Sequence, residues 1–255
     1  MLATDSFRVL GVRVHAVQIP EVIEIMERWI AARRPARYVA VTGMHGVSEA
    51  RKDPAFREVL SGADLVVPDG MPLVWIGRMR GHLLRRRVYG PDLMLEFCSR
   101  TSDRGYRHYF YGASPGVAAG LAETLRRRWP GLQVAGTFSP PFRDLAPDET
   151  TEVIARINAA APDVAWIGLG TPKQERWMRD NRALLRAPVL VGVGAAFDLL
   201  SGRVRQAPPW LREHGLEWSW RLAREPRRLW RRYLLNGPRF AWNVILETAG
   251  LKRFD

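Results

Sequence analysis

Six short runs within the first 200 residues are apolar at consecutive positions and rich in β-branched and aromatic side chains. They are 37–42 (RYVAVT), 64–68 (DLVVP), 108–112 (HYFYG), 132–138 (LQVAGTF), 163–168 (DVAWIG) and 188–193 (PVLVGV). A strand with one wet face alternates apolar and polar residues, whereas a strand covered on both faces does not. Between the runs lie segments with helical spacing. In 20–33, Val22, Ile23, Met26, Trp29 and Ile30 recur on one side. In 115–129, Pro115 follows Ser114, which reads as a capping residue before a first-turn proline. Segments 146–160 and 172–185 are also predicted helical. Strands alternating with helices in this way predict an α/β fold with a Rossmann-like, doubly wound, mostly parallel sheet. Segment 7–17 is expected to add a small hairpin.

The pattern changes near residue 200. Pro208, Pro209, Pro226 and Pro238 punctuate short helical stretches that hold five of the ten tryptophans. The expected organisation is an α/β core over 1–200 and an Arg/Trp-rich helical appendage over 201–255. The net charge is +13, and only three of the 39 basic residues are lysine. An arginine bias of this kind often reflects genome composition, so its location matters more than its size. The appendage has twelve basic and five acidic residues, a surplus of seven in about a fifth of the chain. The single cysteine, Cys98, excludes a disulfide framework and a thiolate metal cage. The longest uncharged apolar stretch, 187–197, is too short to span a bilayer. The first residues have no basic-then-apolar leader pattern, so a cytoplasmic location is expected.

Ligands of open α/β sheets bind beyond the carboxyl ends of the strands. Five glycine-bearing turns fall there: Thr42-Gly43-Met44-His45-Gly46, Pro68-Asp69-Gly70, Gly112-Ala113-Ser114-Pro115-Gly116, Gly168 to Gln174, and Gly192 to Asp198. Small residues let backbone N–H groups and helix N-termini approach an anion, although βα turns use glycine in any case. No segment completes the dinucleotide or P-loop glycine pattern. Gly112-Ala113-Ser114-Pro115-Gly116 matches a nucleophile elbow, with Asp198 and His214 following in order. The residue after Ser114 is proline, however, and cannot donate the oxyanion-hole N–H. Asp69 stands at the mouth of a buried strand. It suits a general base, and equally a turn-capping aspartate. Asp198 is similarly either a ligand acceptor or a helix cap. No carboxylate pair stands beside a strand end to hold a metal-bound diphosphate. Arg85, Arg86, Arg87, Lys173 and the C-terminal arginines are the expected counter-charges.

Several motifs in one order resemble the WecG/TagA/CpsF glycosyltransferase family. They are Ala63 to Gly70 (ADLVVPDG), Arg87-Val88-Tyr89-Gly90-Pro91-Asp92, Gly168 to Glu175 (GLGTPKQE), Gly192 to Asp198 (GVGAAFD), Ala207 to Trp210 (APPW), Gly215-Leu216-Glu217-Trp218, Arg221 to Leu229, and Arg231 to Leu234. The resemblance covers nearly the whole chain. It implies inverting, metal-independent transfer from a UDP-sugar to a polyprenyl-diphosphate-linked sugar, in cell-surface or exopolysaccharide synthesis. It also implies a peripheral position on the inner face of the cell membrane. No cofactor is implied beyond the UDP-sugar donor. Carried over residue by residue, Asp69 is the general base, with Thr42, Arg87 and Gln174 as its catalytic companions. Asp198 lies near the nucleotide; independently of the resemblance, the turn positions and counter-charges above add Gly112, Ser114, Gly170 and Lys173 as expected substrate or nucleotide contacts. Arg221, Arg227, Arg228 and Arg231 face the diphosphate and an anionic membrane. Many family members have Asn where this chain has Met44. Methionine lacks the amide's hydrogen bonds, so either His45 substitutes or the acceptor contact differs.

Two rival readings belong to other classes. One is a basic nucleic-acid-binding protein using the Arg/Trp segment, for which no recognition motif is present; the other is the Ser114 hydrolase. Nucleic acid is not an expected partner. The sequence leaves a homo-oligomer open.

Overall fold

The structure is a computed structural model that describes residues 4–254. The chain opens with a hairpin, β1 (Ser6–Val9) and β2 (Val12–His15), as the sequence predicts. Six further strands form one parallel sheet: β3 (Arg37–Thr42), β4 (Leu65–Pro68), β5 (Arg107–Gly112), β6 (Gln133–Phe138), β7 (Val164–Gly168) and β8 (Val189–Gly192). Their spatial order is β4-β3-β8-β7-β5-β6. The α/β class, the parallel sheet and all six strand positions agree with the sequence reading.

The helices are α1 (Ile19–Ala32), α2 (Met44–Lys52), α3 (Pro54–Ser61), α4 (Met71–Met79), α5 (Gly90–Thr101), α6 (Val117–Arg128), α7 (Pro147–Ala159), α8 (Lys173–Asn181) and α9 (Ala196–Leu200). After them come α10 (Pro209–Glu213), α11 (Glu217–Arg224), α12 (Pro226–Trp230), a π-helical turn (Arg231–Leu235) and α13 (Asn236–Thr248).

Alternate residues of each central strand enter two separate cores. Tyr38, Ala40, Ala165, Ile167 and Leu190 face one, with the hairpin and Phe56, Val59, Leu60 and Ile157. Val39, Val41, Val164, Trp166, Val189 and Val191 face the other, with Ile23, Met26, Phe97 and Leu121. Covering on both faces is the physical reason these strands read as unbroken apolar runs. Strand β6 is the exception. It is an edge strand, only partly buried along its length, rather than one covered on both faces. At the opposite edge, His15 Nδ1 accepts the Val66 N–H at 3.0 Å, occupying an edge donor of β4. That ring is buried, and burial lowers its pKa below the ordinary histidine value.

Several local expectations are corrected. Ser114 does not cap a helix. Helix α6 begins at Val117 with Gly116, in the left-handed region, at its cap, while Ser114 and Pro115 lie in the preceding turn. Helix α8 spans nine residues and ends well before Leu185. Helices α2 to α5 carry no expectation from the sequence. From Pro209 to Thr248 the C-terminal region is a series of helices, and its last helix returns to the core. Phe240 and Val244 of α13 are buried in the first of the two cores. The Glu247 carboxylate there accepts the Leu10 N–H at 2.9 Å and pairs with Arg80 at 2.6 Å.

Candidate active site

The ends of β3 and β4 are side by side, because Thr42 pairs with Pro68 in the parallel register. The Asp69 N–H donates to the Thr42 carbonyl at 2.8 Å, extending the ladder one residue beyond the strand. A Cβ on Gly43 would lie 2.2 Å from the Asp69 carbonyl oxygen, so only glycine lets this turn pass so close. On the other side, the Val88 N–H donates to the Pro68 carbonyl at 2.8 Å. Val88 points into the core. Neighbouring side chains of an extended segment point the opposite way, so Arg87 and Tyr89 turn toward Asp69.

These groups line a cavity of about 480 Å³. Its floor is the β3–α2 turn and the start of α4, with Met44, His45, Met71 and Trp75. Its roof comes from the C-terminal region: Gly215, Glu217, Trp218 and Arg221, then Arg232, Tyr233, Leu234, Gly237 and Pro238. Gly215 has a φ of +72° and lies directly on Met71, which lets the roof close onto α4.

The electrostatics follow from this enclosure. Asp69 is raised to about 6, mainly by loss of solvent. Arg87 opposes the rise, Glu217 adds to it, and Arg232 and Arg221 oppose it. Arg87 is bonded to Glu217 through Nη2, and its guanidinium stacks on Tyr89 at 4.0 Å. The Tyr89 hydroxyl donates to Glu217 Oε1 at 2.8 Å. Burial, then the Glu217 charge, holds the phenol protonated. His45 is lowered to about 4 by burial, with Arg232 adding to the effect, so its ring is neutral at pH 7. Among the described lining residues, three guanidinium groups (Arg87, Arg221 and Arg232) and two carboxylates (Asp69 and Glu217) share the cavity.

Four residues singled out from sequence line this cavity: Asp69, Arg87, His45 and Arg221. Thr42 is only 1% exposed and sits behind Gly46; its Oγ1 has no hydrogen-bond partner among the described residues, and its carbonyl accepts the Asp69 N–H. Gln174, 2% exposed, braces two turns: Oε1 accepts from Gly170 N–H at 3.2 Å and Gly194 N–H at 3.0 Å. Its Nε2 donates to the buried Glu175 at 3.0 Å. Gly112 has a packing reason for being glycine, since any Cβ there would meet the Gly168 backbone at 2.6 Å. Lys173 pairs with Asp144 on the surface at 2.9 Å. Asp198 is half-buried in the first turn of α9. Arg227 and Arg231 are exposed, and Arg231 stacks on Trp230 at 5.3 Å. The side chain of Arg228 lies outside the described residues. His214 Nδ1 is 2.7 Å from the Trp210 carbonyl, and among the described residues no hydrogen bond joins it to Ser114 or Asp198.

Tyr89, Thr171, Glu217, Arg232 and Tyr233 line the cavity; each stood inside a motif quoted from the sequence, and none was chosen as a site residue. The one usable signal was alternation: Tyr89 is two residues beyond Arg87 in an extended segment.

Comparison with known proteins identifies the family. The profile of the "Glycosyl transferase WecG/TagA/CpsF family" matches residues 7–253. An N-acetylglucosaminyldiphosphoundecaprenol N-acetyl-beta-D-mannosaminyltransferase from Bacillus spizizenii is 35% identical over 197 residues, 77% of this chain and 74% of the relative. The protein of the same name from Bacillus subtilis is 29% identical over 232 residues, 91% of this chain and 88% of the relative. The chain belongs to the WecG/TagA/CpsF family and is a glycosyltransferase.

Proposed function

We propose that this enzyme transfers a sugar from a UDP-sugar to a polyprenyl-diphosphate-linked sugar, in the synthesis of a cell-surface or exopolysaccharide. The lipid-linked acceptor class is taken from the names of the two Bacillus relatives. The observation that carries the chemistry is Asp69, raised to about 6 at the edge of a cavity lined by Arg87, Arg221 and Arg232. A base of that strength is ionised at neutral pH and more basic than an ordinary carboxylate.

The step is a single displacement with inversion. An acceptor hydroxyl gives its proton to the Asp69 carboxylate as its oxygen attacks the anomeric carbon. The bond from that carbon to the diphosphate oxygen breaks, and UDP leaves with the electron pair. Arg87, Arg221 and Arg232 offset the charge growing on the leaving diphosphate, with no metal in the step. Gln174 and Thr42 act from behind, through the turns they hold.

The proposed location is peripheral, on the inner face of the cell membrane. Trp210, Trp218, Trp230 and Trp242 are exposed along the arginine-rich C-terminal region. Indole rings suit the headgroup level, and each basic residue near an anionic surface adds about 1 kcal/mol. Among the described residues, no helix is long and apolar enough to cross a membrane.

The test is turnover by Asp69→Asn with UDP-sugar and lipid-linked acceptor, alongside UDP binding by thermal shift. Turnover should fall strongly while UDP binding persists; near wild-type turnover removes Asp69 from the mechanism. A thermal-shift screen over UDP, UDP-glucose, UDP-N-acetylmannosamine and UDP-glucuronate identifies the donor. Absence of any shift overturns the UDP-sugar reading.

A further inference from the structure

Helix α11 reads Glu-Trp-Ser-Trp-Arg-Leu-Ala-Arg, yet its one buried residue is the glutamate. An amphipathic helix ordinarily docks through its apolar side chains. This one docks through Glu217, 6% exposed, while Trp218 remains exposed. Burying a carboxylate is unfavourable unless both oxygens are paired. Here both are: Arg87 takes Oε2, and the Tyr89 hydroxyl donates to Oε1 at 2.8 Å. Arg87 and Glu217 are 130 residues apart in the chain, so the pair joins the C-terminal roof to the floor that carries Asp69.

The pairing also decides what Arg87 does not do. The charged groups acting on Asp69 are Arg87, Glu217, Arg232 and Arg221. Of these, Arg87 exerts the strongest pull. Its hydrogen bond nonetheless goes to Glu217, and its flat face is occupied by the Tyr89 ring. Among the described residues no hydrogen bond reaches the Asp69 carboxylate. A guanidinium forked onto that carboxylate would occupy the oxygens that must take the proton and would weaken them as a base.

We infer that Glu217 is a positioning residue that draws the Arg87 guanidinium off Asp69, so that docking of the C-terminal segment leaves a free base beside a correctly aimed arginine. This rests on Asp69 being the base. Glu217 touches neither donor nor acceptor in this role. It acts through Arg87, with Tyr89 fixing the second oxygen.

The experiment is kcat/KM against pH for the full chain, comparing wild type, Glu217→Gln, Glu217→Asp, Tyr89→Phe and Asp69→Asn. The wild-type acid limb is expected near pH 6. Glu217→Gln should lose activity on the order of ten- to a hundredfold at pH 8. Its acid limb should move to lower pH, because Arg87 then pairs with Asp69. Glu217→Asp keeps the charge on a shorter arm and should lower kcat with the limb unmoved. Tyr89→Phe should lower kcat modestly, also with the limb in place. A Glu217→Gln enzyme with the wild-type limb overturns the inference, as does Glu217→Asp with wild-type kcat. If Glu217→Gln does not fold, the Asp variant decides by itself. Substantial activity in Asp69→Asn instead refutes the base assignment, and so marks a failure of the function separately from a failure of the positioning role.

Discussion

Replacing Asp69 with Asn should stabilise the protein while abolishing its chemistry. A carboxyl whose value moves from 3.8 in the unfolded chain to about 6 in the fold prefers its protonated form there by about two powers of ten. That preference corresponds to about 3 kcal/mol. Asp69 borders the cavity and keeps some solvent, so the realised effect is about 1–3 kcal/mol. The sign follows from proton binding: between pH 3.8 and about 6 the folded state holds the proton and the unfolded state does not. This contribution is therefore fully present below pH 3.8 and lost as pH rises through about 6. Asparagine has no proton to lose and escapes the penalty. Arg87 keeps Glu217 as its partner in the variant, so no buried cation is orphaned. The gap between Asp69→Asn and wild type should be smallest near pH 3.5, grow through pH 4–6 and level off by pH 7. Urea midpoints across that range measure it directly. At pH 7.5 the variant should melt roughly 2–10 °C higher, on the scaling for a chain of this size. A variant less stable than wild type at pH 7.5, or a gap that does not change with pH, would refute the assignment of a desolvated, reluctantly ionised carboxylate.

Three further outcomes are expected. Gly43→Ala must displace the Asp69 backbone to relieve a 2.2 Å approach, so it should lose about 1–3 kcal/mol in urea denaturation and at least a hundredfold in kcat/KM; wild-type kinetics would show that the turn has room to spare. Gln174→Ala removes the acceptor for two backbone N–H groups and should lose about 2 kcal/mol, with UDP binding weakened in the same thermal-shift series. His108 is lowered to about 3 by burial and accepts the Trp166 indole N–H at 3.1 Å, so its share of stability is lost as pH falls from 6.5 toward 3. His108→Phe should flatten the dependence of the urea midpoint in that window by about 1 kcal/mol per pH unit; an unchanged slope means another group titrates.

The legibility of the fold differed by element. The six sheet strands were readable because a strand covered on both faces has a local signature, an unbroken apolar run closed by a turn. Helix α4 was not readable, because Met71 to Met79 is apolar at most positions and shows neither period clearly. Helix α2 carries Gly46 against Thr42 in its interior, a packing reason that propensity cannot anticipate. The Ser114-Pro115 pair looked like a helix start, but the helix begins two residues later behind a left-handed Gly116.

By itself the sequence determined the parallel α/β sheet, the edge on which ligand-facing turns must lie, and Asp69 as one candidate among several. Local pattern left Asp69 balanced between base and turn cap, and only the family resemblance pointed to the base. The tertiary structure decided the surroundings: Arg87 and Tyr89 beside Asp69, through the Val88–Pro68 hydrogen bond, and Glu217 and Arg221 above it, from the far end of the chain. It also moved Thr42 and Gln174 from the cavity wall to the supports behind it. The division has a physical cause. Periodicity and turn chemistry are set by neighbours a few residues apart and are written locally. The charge balance of a cavity depends on contacts such as Arg87 with Glu217, which form only when folding brings distant segments together and excludes water between them.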